Sequence, residues 1–301
     1  MFETLAILMT LSGSAAVPVQ AGAGEVDVKL VLAVDTSRSM DFEEVRIQRE
    51  GYVEALKHKE FIDAVKGGLT GRIAISYFEW AGFVVPGSVL DWHLIETESD
   101  AIAFADKLEQ RPLNTQRRTS ISTAITQGTS MIVSSPYTAM RQVIDVSGDG
   151  TNNAGNPVAP TRDKAVEAGL IINGLALMLR PSGAPGGLDN YYADCVIGGP
   201  GAFVLPVYKI EDFGIAVRRK LVLEVLASAR FRTSRRPLHR RRAIAWPAKS
   251  SGRISSTAED QCRRPPLLTV RSADVIQTRP SKATSPLSVL PLAIRSISPR
   301  C

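Results

Sequence analysis

The four residues Val31-Leu-Ala-Val34 form an apolar run that stops abruptly at Asp35-Thr-Ser-Arg-Ser39. A run without polar alternation predicts a strand buried on both faces, so the sheet around it must be covered by other layers on each side. Where such a strand ends in an open α/β sheet, the loop at its carboxyl end lies in the crevice where ligands bind. Asp35, Ser37 and Ser39 stand at alternate positions of that loop. All three are hard oxygen donors, suited to Mg²⁺ or Mn²⁺ rather than to a soft metal. The same residue types also follow strands simply to cap the next helix. Here Asp41, with Glu44 three residues on, supplies a capping pair for a helix starting near Phe42, which leaves the three donors free of that task.

Two further segments share this chemistry. Gln142–Val146 predicts a second apolar strand, followed by Ser147-Gly-Asp149-Gly150 and Thr151-Asn-Asn153. The glycines flanking Asp149 permit tight turns and close approach to a ligand. Between the two strands, Thr119 stands before an apolar-periodic stretch of Ile121, Ala124, Ile125 and Ile132. Taken singly, Thr119 reads as a helix cap and Asp149 as a turn residue. Together with the first loop they make a set of oxygen donors at strand ends.

That set resembles a known family. Asp35-Thr-Ser-Arg-Ser39 matches the D-x-S-x-S signature of von Willebrand factor type A domains. Thr119 stands at that family's second-motif threonine, and Asp149 at its third-motif aspartate. The resemblance spans residues 25–226, in the family's order, and implies a complete metal-ion-dependent adhesion site. It implies Ser37, Ser39 and Thr119 as direct ligands, with Asp35 and Asp149 acting directly or through water. Tyr192 to Phe203 (YADCVIGGPGAF) resembles an uncharacterised secreted alphaproteobacterial group of the same superfamily, which brings no activity with it. Neutral hydroxyls leave a divalent ion under-neutralised, so its exchangeable position favours an anionic oxygen, a Glu or Asp carboxylate of a partner protein.

An enzyme reading competes. Gly148-Asp-Gly-Thr-Asn-Asn153 resembles the G-D-G-x-N-D segment of haloacid dehalogenase-type phosphohydrolases, in which Asp35 would be the nucleophile. That family's D-x-D-x-T needs a second carboxylate as general acid, and this chain has Ser37 there and Asn153 in place of the last aspartate. Without the acid, a large part of the rate is lost, and binding is the expected function. His58 and His93 belong to no motif and are expected in surface or packing roles.

The rest of the chain sets the frame. Val26–Val34, Arg72–Trp80, Gln142–Val146, Leu170–Leu177 and Gly201–Val207 read as strands, with Val89–Ile95 as an antiparallel edge strand. Helices are expected at Glu43–Lys66, Asp100–Gln110, Thr119–Val133, Thr161–Ala168, Leu188–Asp194 and Glu211–Leu226, the last amphipathic through Phe213, Val217, Leu221 and Val225. The Gly/Pro-rich stretch Pro181–Leu188 reads as a surface loop. This alternation predicts a doubly wound α/β fold, a mostly parallel central sheet with helices on both faces, over residues 24–226.

The ends differ from the middle. Residues 1–23 are apolar, then small, with Ala21-Gly-Ala23 fitting a cleavage site. They predict a signal peptide, and with it a periplasmic or secreted protein without a transmembrane segment. Residues 227–301 hold 16 Lys and Arg against 3 Asp and Glu, a balance of +13, so the first 226 residues carry −7 of the whole-chain +6. This Arg/Ser/Pro-rich tail has no helical or strand period. Its Arg235–Arg242 cluster would attract phosphates in a nucleic-acid or anionic-surface arm, but disorder, or an out-of-frame reading of a GC-rich gene, is the favoured reading. Because the basic charge comes from the tail, no nucleic-acid partner is expected for the folded domain. Only Cys195 lies in the folded part. It is expected to be a small packed residue without a bridge, and no zinc spacing exists.

Overall fold

The computed structural model describes residues 24–184 and 186–230. The expected signal peptide, and the expected tail from residue 231 on, lie outside the described residues. Six strands form one sheet: β1 (Glu25–Asp35), β2 (Ile73–Trp80), β3 (Leu90–Ile95), β4 (Thr138–Gly148), β5 (Ile171–Leu177) and β6 (Val204–Val207). Their order is β3-β2-β1-β4-β5-β6, parallel except for the antiparallel edge strand β3. The helices are α1 (Phe42–Lys57), α2 (Lys59–Lys66), α3 (Glu98–Glu109), α4 (Ile121–Val133), α5 (Val158–Glu167), α6 (Leu188–Tyr191) and α7 (Phe213–Arg230). A π turn, Tyr192–Val196, continues α6. The expected doubly wound α/β architecture is the observed one.

The reason lies in β1. Leu30, Leu32 and Val34 pack into one core with residues of α1, α2, α3 and α7, while Val31 and Ala33 pack into a second core with residues of α4 and α5. Both sets of alternate side chains are apolar because both faces are covered. From β1 the chain winds outward through β2 to β3, then returns to place β4 on β1's other side and winds outward again through β5 to β6. The direction reverses between β1 and β4, so the crevice at their carboxyl ends is the switch point at which such sheets bind ligands.

Several boundaries differ from the sequence reading, each for a local reason. The helix expected over Glu43–Lys66 breaks at His58, whose backbone is extended and whose Nδ1 accepts the Glu60 N–H at 3.2 Å. His58 is therefore a cap, and the break lets Phe61, Ile62, Ala64 and Val65 turn into the core. Asp41 and Glu44 form the expected capping box. α4 begins at Ile121 with Ser120 as its cap, so Thr119 has no capping role. α5 starts at Val158, and β6 is confined to Val204–Val207 by a turn in which Ala202 N–H donates to Gly199 O. α7 runs past Leu226 to Arg230. His93 stacks on Phe104 at 5.7 Å.

Cys195 is a correction. It is buried in the second core, as expected of a small packed residue, but it is disulfide-bonded. The expectation of no bridge counted cysteines within residues 24–226 alone. The other two cysteines lie outside the described residues.

α7 is fastened to the sheet by buried charge as well as by its apolar stripe. Lys220 Nζ lies 2.8 Å from Asp145 Oδ1 on β4 and 2.9 Å from Glu224 Oε1. Asn173 Nδ2 on β5 donates to both Glu224 carboxylate oxygens, at 2.8 and 2.7 Å. Burial pulls the Lys220 ammonium down, but the Asp145 and Glu224 carboxylates outweigh it and hold its pKa above the ordinary lysine value. Each charge in this group is viable only because its partners are present.

Candidate metal centre

The site starts from the last residue of β1. Asp35 is fully buried, and its Oδ1 accepts the Ser37 N–H at 2.7 Å, which folds the loop back over the strand end. The neighbouring chain holds that loop in place. Thr36 N–H donates to Trp80 O, Arg38 N–H to Gln116 O and Gln116 N–H to Thr36 O, at 2.8, 2.8 and 3.0 Å. Gln48 of α1 donates to Asp35 O at 2.8 Å. The result aims the two serine hydroxyls across the switch point. Ser37 Oγ and Ser39 Oγ lie 2.8 Å apart, and Ser39 Oγ donates to Asp149 Oδ1 at 2.6 Å.

Thr119 is placed by the loop after β4. Its N–H donates to Asn153 Oδ1 at 2.8 Å, and its carbonyl accepts the N–H groups of Asn153 and Ala154 at 2.8 and 3.2 Å. A side chain built on Gly150 would come within 3.8 Å of Thr119 Oγ1, so the threonine hydroxyl faces the Asp149-Gly150 turn. Ser37, Ser39 and Asp149 are thus joined by hydrogen bonds and Asp35 lies beneath them. Thr119 approaches from the Gly150 side without a hydrogen bond to the other four.

The electrostatics are those of an unneutralised acidic site. Burial, reinforced by the negative charge of Asp149, pushes the Asp35 carboxyl up to about 8. Burial also raises Asp149, against the opposing pull of the Ser39 hydroxyl and the Arg180 guanidinium. Asp35 Oδ2 and the Tyr192 hydroxyl are buried without hydrogen-bond partners. Both crowd Gly148, where a Cβ would stand 2.9 Å from Asp35 Oδ2 and 2.7 Å from Tyr192 Oη. Buried polar atoms normally have partners, and a divalent cation would satisfy this carboxylate.

The donor set fits such an ion. Octahedral Mg²⁺ with ligands at about 2.1 Å sets neighbouring oxygens about 3 Å apart. The Ser37–Ser39 and Ser39–Asp149 oxygen separations of 2.8 and 2.6 Å are close to that edge. Among the described residues no group of three His, Cys, Asp or Glu side chains converges to hold a metal, so an ion at this place would depend on the hydroxyls.

Three elements of the site were not singled out by the sequence. Asn152 and Asn153 hold the start of α4, Asn152 by accepting the Ser122 N–H at 3.3 Å. Their signal was visible as two asparagines after a Gly-Asp-Gly turn. Tyr191 Oη accepts the Asn152 N–H at 3.2 Å. Arg180, which follows β5 just before the Gly/Pro-rich loop, donates to Ser39 O at 2.8 Å and pairs with Glu44 at 2.8 Å. Nothing local marks Arg180, because its partners lie more than a hundred residues away.

The model of the family described as "Protein of unknown function (DUF1194)" matches residues 25–229, well over half of the chain. The chain belongs to DUF1194. No curated protein matches it. Solved structures resemble this DUF1194 domain in fold. The pilus adhesin SpaC from Lactobacillus rhamnosus GG matches at 12% identity with a TM-score of 0.50, over 66% of this chain and 31% of that one. A von Willebrand factor type A protein from Catenulispora acidiphila matches at 14% identity and a TM-score of 0.47, over 67% and 43%. Proximal thread matrix protein 1 from the mussel byssus, with a zinc-occupied MIDAS motif, matches at 13% and 0.46, over 67% and 48%. This chain therefore spans less than half the length of each. The DUF1194 domain has a von Willebrand factor type A-like fold. No helix among the described residues is long and apolar enough to cross a membrane.

Proposed function

We propose that the DUF1194 domain is a cation-dependent protein-interaction module, exported to the periplasm or beyond. Asp35, Ser37, Ser39, Thr119 and Asp149 would hold one Mg²⁺ or Mn²⁺, and the partner would complete the site with an Asp or Glu carboxylate. The observation that carries this reading is the convergence of three side-chain oxygens at 2.6–2.8 Å above a buried carboxylate with one unshared oxygen. When bound, the cation supplies a positive point that attracts an anionic oxygen from outside. The chain's own residues do the positioning: Ser37 N–H fixes the Asp35 carboxylate, and Asn153 fixes Thr119.

Binding is favoured over phosphoryl transfer by the second position of the first motif. Ser37, not a carboxylate, stands where a general acid is needed, and its hydroxyl is engaged with Ser39. Calorimetric titration of the full chain with Mg²⁺ or Mn²⁺, beside Asp35→Ala and Ser37→Ala, tests the proposal. Binding heat should appear in the parent and be lost in both variants. Heat that persists in both would refute the site, and turnover of a generic phosphate ester would establish the phosphohydrolase instead.

A further inference from the structure

Exposed arginines gather in the loops at the sheet edge that carries the site. Among residues 24–226 five arginines are exposed, namely Arg38, Arg117, Arg118, Arg180 and Arg219. All but Arg219, which lies on α7, stand at the carboxyl edge of the sheet, although the first 226 residues are acidic overall. The backbone brings them together. Arg38 N–H donates to Gln116 O, Gly82 N–H to Arg117 O at 3.1 Å, and Arg180 reaches Ser39 O. Arg180 is already paired with Glu44. Arg38, Arg117 and Arg118 form no ion pair among the described residues. Phe42 and Phe83, both exposed, flank this arc.

A second observation points the same way. Arg118 has φ of 70°, and it is the non-glycine residue with positive φ among the described residues. Glycine would occupy that conformation without strain, whereas a side chain there is strained, and such outliers gather at binding sites. Its neighbours enforce it: Ser120 N–H donates to Ala81 O at 2.7 Å, and Asn153 holds Thr119. The strained turn places Arg118 immediately before Thr119 in the chain.

We propose that this arc, Arg38, Arg117 and Arg118, selects an acidic peptide segment, one carboxylate entering the cation site and its neighbours pairing with the arginines. The assignment rests on the cation-dependent reading above and names the partner's chemistry. Guanidinium groups suit carboxylates through paired, planar hydrogen bonds. A short peptide fits better than a nucleic acid. Nucleic-acid binding draws on many phosphate contacts, whereas this arc offers three arginines in a domain whose first 226 residues carry −7. A peptide with a few clustered acidic residues ends within the arc.

The test is fluorescence anisotropy of labelled hexaglutamate with the full chain, with and without Mg²⁺. The variants are Arg117→Ala with Arg118→Gly, Arg38→Ala with Arg117→Ala, and Ser37→Ala. Each arginine pair should weaken binding about tenfold at low ionic strength, the effect of two exposed ion pairs, and flatten its salt dependence while leaving the Mg²⁺ binding heat intact. Arg118→Gly should also leave the thermal midpoint equal or higher, because strain is relieved. The second pair leaves the backbone at residue 118 untouched and so separates lost charge from altered folding. Ser37→Ala should abolish the Mg²⁺ dependence but keep the arginine-dependent part. Arginine-dependent binding indifferent to Mg²⁺ in the parent would refute the cation reading and leave the arc standing. Equal binding by the parent and both arginine variants would overturn the arc. Oligothymidylate of the same charge binding as tightly as hexaglutamate would overturn the choice of partner.

Discussion

Asp35→Asn should make the metal-free protein more stable at neutral pH while abolishing cation binding. Burial and the adjacent Asp149 hold the Asp35 carboxyl at about 8 in the folded protein, against an ordinary value of 3.8. A raised carboxyl pKa stabilises the fold fully below the unfolded value and progressively less as pH rises through the folded one. The loss runs from about pH 4 to about pH 8, at about 1.4 kcal/mol per pH unit, so about 4 kcal/mol is gone by pH 7. Asparagine ionises in neither state and can still accept the Ser37 N–H, so it escapes this loss. Its buried amide N–H costs about 1–3 kcal/mol, which leaves a net gain of about 1–3 kcal/mol at pH 7 that shrinks toward pH 4. The assay is urea unfolding of parent and variant in EDTA from pH 4 to 8.5, followed by tryptophan fluorescence. Excess Mg²⁺ should then reverse the order, because ligand at about a thousand times its Kd stabilises the parent by about 4.1 kcal/mol, more than the variant's gain, and does nothing for the variant. Parallel pH profiles in EDTA would refute the reasoning, since they would mean that Asp35 is ionised in the empty fold.

Lys220→Met should cost about 3–5 kcal/mol, because it strands the Asp145 and Glu224 carboxylates in the core, while adding Asp145→Asn and Glu224→Gln should recover most of it; denaturant midpoints measure both, and a loss below about 1 kcal/mol would contradict the ion cluster. Asn153→Ala leaves the Thr119 N–H without its acceptor. It should destabilise by about 1–3 kcal/mol and weaken Mg²⁺ about tenfold by calorimetry, as removal of a ligand's supporting contact does; unchanged affinity would remove Thr119 from the site.

Much of this molecule is readable locally. The uninterrupted apolar run at Val31–Val34 discloses a strand covered on both faces, and Val143, Ile144 and Val146, broken by Asp145, disclose a second. Asp41 and Glu44 disclose where α1 begins, and by taking the capping role they single out Asp35, Ser37 and Ser39. The tail's charge was separable by composition alone. What failed locally did so where a long-range contact overrides a short-range pattern. The apolar stripe changes register at His58, from Tyr52, Val53 and Leu56 to Phe61, Ile62 and Val65, and the chain breaks there so that α2 turns its own stripe into the core. Arg180 sits in a loop with no pattern and gains its place only by reaching Ser39 and Glu44. Cys195 looked solitary because pairing does not follow spacing.

The sequence by itself determined the element types, the doubly wound layering and which oxygen-bearing residues are candidate donors, since periodicity, capping and donor chemistry are properties of neighbouring residues. Tertiary structure alone decided that β4 lies beside β1, which brings Asp149 within 2.6 Å of a serine 110 positions earlier. It also decided that Asp35 is buried with an unshared oxygen, and that Arg38 and Arg117 meet through Gln116 at the same sheet edge. Those are consequences of burial and of contacts between distant segments, and burial sets the energy of a charge.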